Sequence, residues 1–551
     1  MNVETCTIVI QSKISSQNRY LEFLDILLDE TLIIGTVYIP RQCLKKVSVP
    51  NERLPAKQSY EFLLRLACIY PICITDTAPA NLDSYMILSP KEEPLSEDGL
   101  KTDCYITALY KNILLEHHLF DSAVHSILNI AKQLDCYAQT IDFLEDMLCR
   151  RFAFEYYYQG SQPFLIYTGD VVCYHILSVF ADYLGMALEH QGYLVEYFDL
   201  SKESHMDAAR YIDCSFQAII GIQSYMFSAR LTDQSFLHDK INGPKYNFVF
   251  DHINSFRQHL EQTPKNLTIL SPDLNYVLFG RRHYLVNVRF LPPGGILKPL
   301  ETTKERIYDM VFIGSYVDNT NYVAAQIQTL NRPMRFLLNH FWMYMRKHPD
   351  LPAEELLQRV LDHDGKVISD ADFKDLLYRF HHFTLYMAYR YRTKIIQVLI
   401  ENGIKVDVFG QSWKTCPLRN HVNFVWHEKD LTIDESLEIW QQSKIALNIM
   451  SWHKNAITER IINSMLQKAV VLTERNPYLE QQFKQEEDIL FYDLAKLDQL
   501  PKIVHSFLAS PDRLADISEN GYQKALQTHT WKHRAEEMIT MARQDAASMY
   551  L

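Results

Sequence analysis

From Lys444 to Leu479 the chain reads KIALNIMSWHKNAITERIINSMLQKAVVLTERNPYL, and two of its cations stand where an anion would bind. The apolar run Ile445-Ala446-Leu447-Asn448-Ile449-Met450 reads as a buried parallel strand. A polar loop over Ser451 to Ala456 follows, and a helix opens at Thr458-Glu459-Arg460, with Ile461, Ile462, Met465 and Leu466 on its apolar side. Ala469 to Thr473 forms a second buried strand and closes a βαβ unit. The free amides of such a helix start attract anionic groups. Lys454 and Arg460 beside that start make a site suited to a nucleotide diphosphate. Most βαβ loops bind nothing, so the reading depends on the elements around this one.

Those elements belong to a large chain. At 551 residues it exceeds one hydrophobic core, and two or three domains are expected. A hydrophobic content of 47% with 22% charged residues suits an ordered globular protein. The net charge of −12 argues against general nucleic-acid or acidic-membrane binding. The ten cysteines show no metal-type pairing and read as reduced thiols of a cytoplasmic protein. No leader-like segment opens the sequence, and no run of about 18 apolar residues suggests a transmembrane segment.

Three blocks are expected. Residues 1–155 form an accessory α/β domain, strand-like at Thr7–Ile10 and Leu32–Tyr38, helical over 105–150, and ending at Arg150-Arg151-Phe152. Residues 160–298 alternate strands and helices, with strands at Phe164–Thr168, Leu194–Phe198, Ala218–Ile222, Tyr246–Phe250 and Leu267–Leu270. Pro292-Pro293-Gly294-Gly295 punctuates the exit from this block. Residues 299–545 restart the pattern with Met310–Ser315, a helical insertion over 321–402, strands at Lys405–Phe409 and Val422–Trp426, and a capping box at Thr432-Ile433-Asp434-Glu435. The fold class is therefore α/β, with two Rossmann-like domains facing across a cleft behind a smaller N-terminal domain.

Several segments resemble a known family. VFIGSY at 311–316, VDVFGQSW at 406–413, SKIALNIM at 443–450, TERIINSMLQKAVVLTERNPYLEQQF at 458–483 and HTWKHRAEEM at 529–538 are similar to the C-terminal half of GT-B glycosyltransferases, in particular the CgeB-like (spore maturation protein) branch of group 1. YLGMALEHQGYLVEYFDL at 183–200, FVFDHI at 248–253, LSPDLNYV at 270–277 and RFLPPGG at 289–295 are similar to its N-terminal half. Ser59 to Leu66 resembles a helix of GT-A family 2 transferases, which would make the first block a truncated remnant.

The resemblance implies a nucleotide-diphosphate sugar, UDP- or GDP-linked, as donor, and a glycan, protein or small molecule as acceptor. No separate cofactor and no metal are implied. Arg460 matches the family's diphosphate arginine, and His453 and Lys454 precede it in the loop; salt bridging or simple exposure are the competing readings. Asn463 stands where the family often has a carboxylate for the ribose, and Lys468 replaces a common glycine. These departures leave open a catalytically weak or inactive binding module. Glu459 could take over the ribose contact or serve the helix dipole. Gly314 and Ser315 would approach the transferred sugar, and Trp413 and His427 the base, with a core position the alternative for Trp413. On the acceptor side Asp251 and His252 are candidate bases, with Asp170 and Asp273 also following strands.

Overall fold

In the computed structural model the described residues are 162–169, 176–300, 305–450 and 452–549; before these come 7–11, 19–21, 36–41, 56–67, 72–75, 77–79, 85–88, 95–110 and 119–136, with 27, 43, 70 and 114 singly. The chain divides into two compact units, Met1–Tyr246 with Pro264–Asn266 and Ala535–Leu551, and Asn247–Thr263 with Leu267–Arg534.

Among the described residues five strands open the chain: β1 (Ile8–Gln11), β2 (Arg19–Leu21), β3 (Thr36–Pro40), β4 (Ile72–Thr75) and β5 (Tyr85–Leu88). Their order is β2-β4-β1-β3-β5, with β1 parallel to β4 and antiparallel to β3. The Ser59–Leu66 segment lies within a helix, Gln58–Ala67, that buries Phe62, Leu63, Leu64 and Leu66 completely. Its Arg65 pairs with Glu61 one turn earlier at 2.7 Å, which lets both charges be buried. Residues 32–35, 137–149 and the basic stretch 150–152 lie outside the described residues.

The second sheet contains β6 (Phe164–Thr168), β7 (Val195–Asp199), β8 (Ala218–Ile222), β9 (Lys245–Phe248), β10 (Leu267–Ser271) and β11 (Asn287–Phe290), in the order β11-β10-β9-β8-β6-β7. Every residue of β8 and β10 is buried, as continuous apolar strands of a covered parallel sheet require. β11 was not anticipated, because its single buried residue, Val288, leaves no apolar run to read.

The third sheet contains β12 (Tyr308–Ile313), β13 (Val406–Phe409), β14 (Phe424–His427), β15 (Ser443–Leu447), β16 (Val470–Glu474) and β17 (Leu490–Tyr492). Its order is β14-β13-β12-β15-β16-β17, and every neighbouring pair runs parallel. The protein is thus α/β with two Rossmann-like sheets. In the third sheet the order reverses between β12 and β15, the switch point beside which doubly wound folds bind ligands.

The helical insertion is four helices, Thr320–Thr329, Arg332–Lys347, Ala353–His363 and Asp370–Glu401. Asn331 caps the second and Ser369 the fourth, and Pro352 stands at the start of the third. The Thr432–Glu435 capping box forms as expected, each side chain reaching the other's backbone amide. Among the described residues no helix is long and apolar enough to cross a membrane.

Candidate functional site

All the groups described next belong to the second compact unit. At the end of β12 the chain turns at Gly314-Ser315, and three side chains hold that turn. The indole N–H of Trp413 donates to the Gly314 carbonyl at 2.6 Å. Arg392 donates to the Ser315 carbonyl at 2.5 Å, and Arg460 Nη1 to the Ile313 carbonyl at 3.4 Å. Trp413 is fully buried, edge-on to Phe312, so its observed work is to fix the turn.

Two guanidinium groups therefore converge on the turn, one on the Ile313 carbonyl and one on the Ser315 carbonyl, with the Trp413 indole on the carbonyl between them. Burial first, and then the neighbouring Arg460, lowers the pKa of Arg392 to about 10. Like charges brought together in a desolvated place are unfavourable until an anion joins them. The adjoining helix, Glu459–Leu466, begins at Thr458, whose buried Oγ1 makes no hydrogen bond among the described residues and so does not cap the helix amides. Glu459 lies 3.7 Å from Arg460 Nε, and both stay about three-quarters buried, at 24% and 23% exposure. Lys454 adds a third cation; burial lowers its pKa, opposed by Glu474, Asp350 and Asp273. Glu474 also acts on Arg392 and is the carboxylate these two cations share.

The loop carrying Lys454 is anchored from below. Asp273 Oδ2 accepts from the amides of Lys454 and Asn455, at 3.0 and 3.2 Å, while Oδ1 accepts from Asn275 N–H at 2.8 Å and caps the Leu274–His283 helix. Asp273 is fully buried, so it positions the loop and does not face a ligand. His453 packs on Tyr276, ring centroids 5.5 Å apart, with Nδ1 3.8 Å from Asp273.

Asn463 is fully buried and its Oδ1 accepts from the Ile296 amide at 2.8 Å. It thereby clamps the Pro292–Gly295 segment, where a Cβ on Gly295 would run into Ile462 at 2.4 Å. Lys468 has φ +59° just past the helix end, and its ammonium pairs with Glu519 at 2.6 Å. That left-handed position is the one glycine ordinarily fills. His427 stacks on Phe409, centroids 4.2 Å apart, and hydrogen-bonds Asp407 at 2.8 Å.

Asp251 and His252 line a cavity of about 240 Å³ with Glu354, His381, Tyr389 and Trp452. His252 Nδ1 accepts from the Asn254 amide at 3.1 Å, and Nε2 faces Glu354 at 3.4 Å. Nδ1 is thus taken by the backbone while Nε2 and Glu354 approach without a hydrogen bond, and Asp251 beside them is exposed. The cavity adjoins the arginine turn, because the Arg392 guanidinium lies 5.5 Å from the Trp452 ring and 5.6 Å from Tyr389. Asp170 lies outside the described residues.

Residues 392–540 match the family model described as glycosyl transferase-like. No curated protein matches the chain. Among solved structures it is similar to sucrose-phosphate synthase from Thermosynechococcus elongatus, at 11% identity and TM-score 0.43, covering 70% of this chain and 100% of that one. It is similar also to the DNA-modifying β-glucosyltransferase, at 13% identity and TM-score 0.39, covering 69% and 99%. A protein from Anabaena solved with UDP and glucose matches at 10% identity and TM-score 0.38, covering 71% and 99%. Likenesses this distant bear on neither donor nor acceptor.

The glycosyl transferase-like segment opens at Arg392 itself, a residue the sequence reading passed over. A signal was there. Met387, Ala388, Ile395, Ile396 and Leu399 form a buried stripe along the Asp370–Glu401 helix, and Arg392 is the cation set within it. Glu354, His381, Tyr389 and Trp452 left no such trace, since each joins the cavity only through packing of distant segments.

Proposed function

We propose that this protein transfers a sugar from a nucleotide-diphosphate donor, UDP- or GDP-linked, to a hydroxyl of a glycan or protein, without a metal ion. One observation carries the reading: Arg392 and Arg460 converge on the Gly314-Ser315 turn beside the uncapped start of the Glu459–Leu466 helix. The match of residues 392–540 to glycosyl transferase-like domains supports it.

In this reading the arginines fork onto the diphosphate and Lys454 adds charge from the loop. As the bond between the sugar's anomeric carbon and the phosphate oxygen breaks, the nucleotide diphosphate leaves with that electron pair. Arg392, Arg460 and the helix amides stabilise the growing charge, the part a metal would otherwise play. The acceptor oxygen forms the new bond to the anomeric carbon and its proton passes to Asp251. His252, held between Asn254 and Glu354, orients the acceptor side. Kinship with the CgeB-like branch and residence in the cytoplasm complete the proposal; Cys73, Cys104 and Cys416 are thiols, as a reducing compartment allows.

The test is a thermal-shift screen with UDP-, GDP-, dTDP- and CMP-sugars, followed by assay of donor hydrolysis and transfer. Stabilisation with turnover supports the reading. Stabilisation with no turnover converts it to a nucleotide-sugar binding module, and no response to any nucleotide sinks it.

A further inference from the structure

A second cavity, about 270 Å³, opens between the Leu274–His283 and Ala353–His363 helices. It is lined by Asn275, Leu278, Arg282, Glu355, Gln358 and Phe373, among others. It adjoins the Asp251 cavity. Glu354 lines both, and Phe279 of the second cavity packs against His252 of the first with ring centroids 4.8 Å apart. Where the two linings meet, His252 and Glu354 stand 3.4 Å apart. His252 Nε2 and Glu354 Oε2 are both buried and make no hydrogen bond of good geometry among the described residues.

The linings restrict the ligand. The Asp251 cavity has two carboxylates, Asp251 and Glu354, four aromatic side chains, Tyr276, Tyr378, Tyr389 and Trp452, and among the described residues no lysine or arginine in its lining. Carboxylates without cations repel phosphate and carboxylate ligands. Aromatic faces beside planar hydrogen-bonding groups suit the C–H face and hydroxyls of a pyranose. The second cavity differs in carrying Arg282 and His283 with Glu354 and Glu355, yet offers the same kinds of sugar contact, Phe373 and the 64% exposed Leu278 beside Asn275 and Gln358.

We propose that the two cavities are consecutive subsites for an uncharged oligosaccharide: the first holds the unit presented to Asp251, and the second holds the next unit along the chain. The proposal rests on the transferase reading only for naming that oligosaccharide the acceptor.

Isothermal titration of the full chain, without donor, with cello-, malto- and chito-oligosaccharides of one to three units tests it. In at least one series the two-unit sugar should bind about tenfold tighter than the single unit, or better. A Gln358→Ala, Glu355→Ala double variant should abolish that difference while leaving the single-unit affinity in place. Circular dichroism checks that the variant is folded, and single Gln358→Ala gives a milder version. No binding in any series, affinity independent of length, or length dependence untouched by the variants overturns the proposal. UDP and GDP titrated into the same sample separate the two readings: saccharide length dependence without nucleotide binding leaves the subsites standing and removes the transferase.

Discussion

A Cβ at position 314 would lie 3.3 Å from Arg460 Nη1 and 3.0 Å from the buried Phe312 ring, so Gly314 lets both the guanidinium and the ring rest against the turn after β12. Gly314→Ala is expected to press on both Phe312 and Arg460 and so to shift the guanidinium off the turn. Arg460→Ala and Arg392→Ala should each weaken nucleotide binding more strongly, by about 10- to 100-fold for one lost charge-assisted contact of about 1.5–3 kcal/mol. Calorimetric titration with UDP and GDP measures all three; unchanged curves for both arginine variants would refute the diphosphate assignment.

The acceptor side is tested by removing charge without volume. Asp251→Asn should lower kcat by about 100-fold or more, with the donor KM nearly unchanged, if the carboxylate takes the acceptor proton. A variant with full kcat assigns Asp251 no proton-transfer role.

Lys468 separates backbone from ligand effects. Its φ of +59° costs a non-glycine residue about 1 kcal/mol, whereas its exposed pair with Glu519 returns less than that. Lys468→Gly should therefore raise Tm modestly and leave nucleotide affinity alone. A drop in Tm, or a changed nucleotide titration, contradicts this.

His529 sets an acid limit. Burial first, then Arg534, His533 and Lys524, pushes its pKa down from 6.5 to about 3, so it stays neutral when folded. The unfolded state takes up the proton below pH 6.5, and the stability His529 contributes is complete above that pH and declines as pH falls toward 3. By pH 5 the decline should reach about 2 kcal/mol. Melting curves of the protein and of His529→Gln should draw together between pH 7 and pH 5. Parallel curves would show that another group controls the acid limb.

Much of the fold was legible because continuous apolar runs and helical periodicity are local. β6 and β8 fall where their residues place them, and the Thr432 capping box closes as spelled. Strand ends were blurred by two or three residues, since register comes from neighbours: β15 runs over Ser443–Leu447, paired with β12 and β16, whereas the apolar run continued to Met450. β11 escaped because only Val288 is buried in it.

By itself the sequence determined the α/β class, the βαβ unit around Arg460 and the presence of cations at its helix start, all consequences of residue order over short spans. Tertiary structure decided what those residues face. It buried Asp273 under the Lys454 loop, turned Asn463 onto Ile296, spent Trp413 on the Gly314 carbonyl, and brought Arg392 across 68 positions to stand by Arg460. Which way a side chain points depends on partners far along the chain, and only the packed sheet supplies them.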